Sequence, residues 1–273
     1  MNFEQPTFAE RCGLVAGGWL APLTAAVSAR RRARMFHPEG VTYLAEVAPS
    51  HASGELAAAA NRLAGTALAR FSTALWRGGR EWPDVLGVAL RFDGAQSSAQ
   101  DLLLATVRFP WTTPFAPLAT RVHTFAWNHY HAVSPFELDG VGPVKLRLRS
   151  PRIANPTAQN RVQHLSGLAG EGRARFILEC RRLALSVFAR RWEPLAGITL
   201  REPVDVDQEA LRFSPFRDGA GIHPRGFVHA LRVAAYRASQ EARPAHGFSV
   251  SSALALQGQR GVDALGKPLD QRG

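Results

Sequence analysis

VKLRLR, residues 144–149, sets Val144, Leu146 and Leu148 on one side of an extended chain and Lys145, Arg147 and Arg149 on the other. Side chains alternate across a strand, so this period of two is the mark of a half-buried β-strand. The same alternation recurs along the chain. VTYLAEV puts Val41, Tyr43, Ala45 and Val47 on one face, and GVALRF does so with Val88, Leu90 and Phe92. RARFILEC aligns Ala174, Phe176, Leu178 and Cys180 against Arg173, Arg175 and Glu179, with Ile177 breaking the pattern. ARFSTALW (69–76) and QDLLLATVRFPW (100–111) read as further strands.

Turn-rich stretches separate these segments: PSHASGE, WRGGREWPD, RFDGAQSSAQD, ELDGVGP and SPFRDGAGIHPRG. Helical patterns stand at GELAAAANRLA (54–64) and FVHALRVAAYRASQEAR (227–243). Many strands, many turns, few long helices and no internal repeat predict an antiparallel sheet or barrel. The expected organisation is a helical arm over 1–30, a barrel domain over 31–246 and a loosely packed or disordered tail over 247–273.

The chain has 273 residues, 46% hydrophobic and 20% charged, which suits a globular domain with a proper core. Two cysteines, Cys12 and Cys180, form no disulfide framework and no CxxC, which excludes a thiol-rich zinc site and suggests a reducing compartment. The apolar run Gly13–Val27 is short for a bilayer, and the segment before it lacks the basic residues of a secretory signal. A cytoplasmic protein without a membrane span is therefore expected. The net charge of +11 attracts polyanions, acidic membranes and anionic small molecules without choosing among them. Arg77, Arg80 and Arg91 are surface candidates for that positive field.

Several signatures are absent or incomplete. No GxSxG elbow and no Walker loop occur, and GLAGEG (167–172) has its glycines in the wrong order for a dinucleotide fingerprint. His129 and His131 in NHYH share one side of a strand, with His123 near in sequence, but no third ligand of convincing spacing accompanies them. The basic run Arg30–Arg32 with Arg34 has no aromatic interleaving, so no specific nucleic-acid site is expected.

Other segments hold together as a set. RMFHPEGV carries Arg34 and His37 into a strand. ARFSTALW carries Arg70 and Ser72, and WPDVLGVALRF carries Asp84, Gly87, Ala89 and Phe92. Far downstream, FSPFRDGAGIHPRG leads into a helical pattern with Arg232 and Tyr236. Those two are spaced i, i+4 and share one helix face, where a guanidinium beside a phenol favours the phenolate. An aromatic near an arginine on an amphipathic helix is also an ordinary core-and-rim arrangement.

In this order the segments resemble the catalase family of haem proteins, with its R-x-x-H-x-x-G, V-R-F-S-T, D-x-R-G-x-A-x-[KR]-F and F-S-P…R-x-x-x-Y motifs. The resemblance covers Arg34 to Arg243. It implies an α+β fold: an eight-stranded antiparallel β-barrel of catalase type with surrounding helices. It also implies haem b as cofactor, with Tyr236 as the axial ligand of the iron and Arg232 keeping it anionic. His37 matches the distal histidine that moves a peroxide proton, and Ser72 the serine that orients it. Arg34, Arg70 and Arg243 match the arginines that pair with haem propionates.

The chain departs from the family in places. The distal asparagine position is Ala105, followed by Thr106, whose hydroxyl could donate one hydrogen bond. The D-x-R-G arginine is Leu86, and Arg237 and Ala238 follow the tyrosine where the family has proline and aspartate. The aromatic pair after the distal strand reads Pro110-Trp111. A chain of this length is expected to lack the family's long arm, wrapping loop and C-terminal helical domain, so the resemblance is to minimal, catalase-related peroxidases. The expected activity is haem-dependent peroxidase or weak catalase chemistry on hydrogen peroxide or organic hydroperoxides, by a monomer or small homo-oligomer. The alternatives are a haem-binding protein without peroxidase turnover, and a haem-free catalase-fold protein binding an anionic partner.

Overall fold

The alternation seen in the sequence closes on itself in space. A computed structural model describes residues 39–51, 53–76, 79–93, 99–157, 160–183, 191–206, 211, 213–214, 217–226 and 229. Its strands are β1 (Glu39–Pro49), β2 (Gly65–Thr73), β3 (Leu86–Phe92), β4 (Gln100–Ala105), β5 (His129–His131), β6 (Phe136–Leu138), β7 (Gly142–Arg149), β8 (Arg175–Arg182), β9 (Glu193–Val204) and β10 (Ile222–Pro224). The helices are α1 (Glu55–Leu63), α2 (Ala116–Ala119) and α3 (Arg161–Gly170), with a 3-10 segment, Pro110–Phe115, running into α2. All pairings are antiparallel, in the order β10-β6-β7-β5-β4-β3-β2-β1-β9-β8. A further β7–β8 pairing closes eight of these strands into a barrel, and β6 and β10 extend beyond it from β7. This is the closed antiparallel barrel that the alternation and the resemblance predict.

The odd-numbered face of β1 and β2 points inward. Phe71 on β2 meets Phe176 on β8 at 5.2 Å, Phe125 at 5.4 Å and Tyr130 on β5 at 6.2 Å between ring centroids. Strands β2 and β8 are not neighbours, so these rings meet across the lumen, which side chains fill as in other small barrels. Tyr43 joins them edge-on and shares a hydrogen bond of 2.8 Å with Ser166 of α3. The buried Tyr130 hydroxyl donates to the Phe125 carbonyl at 2.8 Å, so the interior polar group is satisfied. Leu56, Ala59 and Leu63 of α1 and Leu165 and Leu168 of α3 belong to the same core.

The strand readings at VTYLAEV, GVALRF, VKLRLR and RARFILEC hold, with Ile177 half-buried where the pattern breaks. Three expectations are corrected and one helix is added. The strand read through Trp76 ends at Thr73. The strand beginning at Gln100 ends at Ala105 rather than running through Trp111. Pro110 and Pro114 cannot donate to a ladder, and Thr112 and Thr113 turn back onto the carbonyls of Phe109 and Pro110 at 2.8 and 2.6 Å. Helix α3 was not anticipated, because Gly167 and Gly170 dilute its pattern. It starts at an Asn160 N-cap whose Oδ1 accepts from the amides of Val162 and Gln163 at 3.1 and 2.9 Å. Arg91 is not a surface residue: it is 2% exposed and pairs with Asp101.

Candidate functional site

Because the odd residues of β2 face the lumen, Arg70 and Ser72 face outward, onto the wall formed by β1–β4. The register makes rows across this wall. Gly40, Ser72, Gly87 and Ala105 lie in one, and Thr42, Arg70, Ala89 and Leu103 in the next. A third row runs Leu44, Leu68, Arg91, Asp101. The first two rows consist mostly of residues no larger than threonine, so the wall there is shallow apart from Arg70.

Both predicted residues on this wall are buried, Arg70 at 2% and Ser72 at 4% exposure. Burying a guanidinium is costly unless its donors are satisfied, so its retention marks a site with a specific anionic or carbonyl partner. The Ser72 hydroxyl donates to the Gly87 carbonyl at a long 3.4 Å. Gly40, the glycine that closes the R-x-x-H-x-x-G motif, stands where a side chain would force its neighbours apart. A Cβ there would stand 2.6 Å from the Phe71 carbonyl oxygen and 2.8 Å from Arg70 Cζ. The motif glycine and the motif arginine therefore fit each other, a contact that neither motif displays alone.

Other motif residues serve the frame. Asp84 is fully buried and accepts from the amides of Leu75, Trp76 and Val85 at 3.0, 3.3 and 2.7 Å, tying the β2–β3 connection. Leu86, in the arginine position of D-x-R-G, is an interior side chain. The third row holds a buried bidentate pair: Arg91 Nε and Nη2 donate to Asp101 Oδ1 and Oδ2 at 2.8 and 2.9 Å. Asp101 also accepts from the Ser214 amide at 2.7 Å, and Phe213 lies against the Arg91 guanidinium at 4.9 Å. The F-S of the F-S-P motif is thus fastened to this same wall. A cleft at its edge is lined by Asp101, Leu103, Val133, Ser134, Pro224 and His229, among others.

Thr106 is not an available donor. Its Oγ1 accepts from the Leu86 amide at 3.1 Å and lies 2.7 Å from Thr120 Oγ1, which donates to the Ala116 carbonyl at 2.8 Å. The Thr120 proton being committed, the Thr106 hydroxyl donates to Thr120, so Thr106 does not replace the distal carboxamide.

Arg34, His37, Arg232, Tyr236 and Arg243 lie outside the described residues, as do Arg77 and both terminal segments, 1–30 and 247–273. His123 does not join His129 and His131: its Nδ1 pairs with Glu81 at 2.5 Å. Among the described residues no group of three or more His, Cys, Asp or Glu is placed to hold a metal ion. Nor is any helix among them long and apolar enough to cross a membrane.

No family model matches the chain, and no curated protein matches it. Solved structures do. A bacterial catalase superposes with a TM-score of 0.59 at 14% identity, covering 92% of this chain and 63% of that one. A fungal catalase gives 0.55 at 12% identity, covering 80% and 60%. Catalase A from Saccharomyces cerevisiae gives 0.52 at 14% identity, covering 81% and 64%. The chain spans less than two thirds of the length of each. It has the catalase-like fold, an architecture shared here at identities too low to carry an activity with it.

Proposed function

We propose that this chain is a haem protein that reduces hydrogen peroxide or an organic hydroperoxide, with haem b held against the outer wall of β1–β4. One observation carries the reading. Arg70 and Ser72 are buried side by side on that wall, and Gly40 leaves space that the Arg70 guanidinium fills. The described residues suit the group in chemistry: Gly87, Ala89 and Ala105 are small, with Ala89 packed beside Phe213 and Leu68 and Ala105 beside Val107 and Ala116, and a planar, permanently charged guanidinium matches a propionate.

Haem, when bound, supplies the redox chemistry, and the chain supplies its ligand, its pocket and a proton path. In this reading Tyr236 would hold the iron through its phenolate oxygen, and Arg232 would keep that phenol deprotonated. Arg34 and Arg243 join Arg70 at the propionates. His37 accepts a proton from one peroxide oxygen and returns it to the leaving oxygen.

A second reading has a specific observation behind it. With Ala105 in the distal asparagine position and the Thr106 hydroxyl committed to Thr120, neither of these described residues offers a carboxamide to polarise the peroxide bond. Loss of one such donor costs on the order of a hundredfold in turnover. The chain would then bind haem and a ligand without fast peroxide turnover.

The test is the absorption spectrum of the purified full chain supplied with haem, for the natural sequence, Tyr236→Phe and Arg70→Leu. A Soret band with a phenolate-type ferric spectrum, altered in Tyr236→Phe and weakened in Arg70→Leu, supports the haem site. Loss of peroxide-dependent dye oxidation in His37→Ala then supports the peroxidase. A haem-replete protein with no such oxidation favours the second reading. No haem uptake by the natural sequence overturns both.

A further inference from the structure

The least sheltered apolar side chains of the described barrel sit on one turn. Leu118 is 80% exposed, Trp111 72% and Phe115 68%, while no other large apolar side chain among the described residues exceeds the 53% of Trp82. Large exposed apolar residues are ordinary when scattered singly, and informative when they cluster. Here they cluster on the 3-10 segment and α2, between β4 and β5.

This turn is braced from within. Thr112 both donates to the Phe109 carbonyl and accepts from the Phe109 amide, and Thr113 donates to the Pro110 carbonyl. Pro110 and Pro114 have no amide hydrogen to satisfy. The segment therefore meets much of its polar demand itself and presents apolar side chains outward. Trp111 is stacked on Phe109 at 4.8 Å and 7° between planes, which holds the indole in place.

Beside the turn the barrel wall is basic. Arg108 and Lys145 stand over the Phe109 ring at 5.2 and 5.5 Å. From there the outer face of β7 and β8 carries Lys145, Arg147, Arg149 and Arg181 around a single carboxylate, Glu179. Arg147 and Arg149 both donate to Glu179, at 2.6 and 2.8 Å. Lys145 and Arg181 are directly opposite each other across the strands. Arg147 and Arg181 both lie over the Trp192 ring, at 4.2 and 5.0 Å, so this face is a cationic and aromatic surface continuous with the turn.

Exposed aromatic and aliphatic side chains on a braced turn, flanked by cations, match an anionic bilayer surface: apolar groups enter the headgroup region and the cations meet lipid phosphates and carboxylates. A nucleic acid would use the cations and Trp111, but has no use for Leu118. We propose that the 108–119 turn and the adjoining basic wall of β7 and β8 form a docking surface for anionic lipid membranes. This stands whether or not the chain binds haem.

The experiment is vesicle co-sedimentation of the full chain with phosphatidylcholine alone and with phosphatidylserine added. The expected result is binding to the serine-containing vesicles, lowered about tenfold or more by Trp111→Ser, Phe115→Ser and Leu118→Ser together, a change that leaves the charge untouched. Arg108→Gln with Lys145→Gln should weaken binding more than Arg173→Gln with Arg175→Gln, which removes the same charge elsewhere. A second readout does not depend on the triple variant folding. Brominated acyl chains should quench tryptophan emission in the natural sequence, and Trp111→Phe should bind yet lose most of that quenching.

Three outcomes overturn the proposal. The first is no binding to serine-containing vesicles. The second is a folded triple variant that binds like the natural sequence, which would mean adhesion by the net charge of +11 alone. The third is a natural protein that self-associates through this turn, the triple variant becoming monomeric with vesicle binding unchanged.

Discussion

Two outer walls of one barrel differ in how they handle charge. On the β1–β4 wall the buried Arg91 meets Asp101 in a matched, bidentate pair, and the residues around Arg70 and Ser72 are small. On the β7–β8 wall four cations surround one carboxylate, and two of them oppose each other across the strands. Both walls are the outward face of the same alternation, the first buried and the second half-open, so neither composition follows from strand parity alone. Matched charge on the first wall commits its residues to holding structure beside a shallow face. On the second wall the cations share Glu179 and the Trp192 ring, so that face carries an excess of positive charge.

The largest effect is expected from cutting the matched pair. Arg91→Leu leaves the buried Asp101 carboxylate with the Ser214 amide and Arg217 at 3.7 Å. It should cost about 3–5 kcal/mol in denaturant unfolding, and the double change Arg91→Leu, Asp101→Leu should recover most of this. A cost below about 1 kcal/mol would mean that the pair is hydrated rather than structural.

Next in size is Gly40→Ala. Its Cβ would collide with the Phe71 carbonyl and the Arg70 guanidinium, so β1 and β2 must spread, at about 1–3 kcal/mol. Gly197→Ala, whose Cβ would meet nothing nearer than 3.9 Å, is the control and should cost clearly less. If the wall holds haem, Gly40→Ala should also weaken haem uptake, whereas Gly197→Ala should not. Equal haem uptake in both variants would detach Arg70 from the cofactor.

The basic wall predicts a pH dependence. Burial first, then the nearby Arg147, His129, Arg108 and Lys145, push His131 down to about 4 from its ordinary 6.5. The folded ring therefore stays neutral where the unfolded one has bound a proton. Between those two values the unfolded state holds more protons, so stability is full above pH 6.5 and is lost as pH falls toward 4. The loss should be on the order of 1–2 kcal/mol, partial wetting and screening being allowed for, and His131→Asn should flatten that limb of the pH–stability curve. An unchanged limb in His131→Asn would place the titration elsewhere.

The smallest effect has the opposite sign. Lys145→Glu turns a cross-strand repulsion with Arg181 into an attraction and should stabilise the fold by about 0.5–1 kcal/mol in thermal unfolding. If the same variant also loses affinity for anionic vesicles, the wall trades stability for binding. A destabilised Lys145→Glu would mean that the wall's charges are already balanced in the folded chain.

Much of the barrel was legible because its signal is local. Val144, Leu146 and Leu148 announce their strand without reference to any other segment, and so do Phe176, Leu178 and Cys180. Asp84 and Gly40 were visible as motif members, but their reasons were not. Asp84 binds three amides of the β2–β3 connection, and Gly40 makes room for an arginine from the next strand. Arg91 was misread as a surface charge because its sequence neighbours give no hint that Asp101 stands directly opposite on β4.

Residue identity and spacing by themselves determined that this chain would alternate, turn often and close a sheet, because side-chain parity along a strand is set by backbone geometry alone. They also determined the large positive charge and the order of the motifs. Tertiary structure alone decided which parity faces the lumen, since that depends on Phe71 meeting Phe176 across strands far apart in sequence. It decided that Arg70 and Ser72 share a buried wall with Gly40, Gly87 and Ala89, and that Trp111, Phe115 and Leu118 stand in the open beside Lys145. Those are facts of register and closure, fixed by contacts between residues that no local pattern connects.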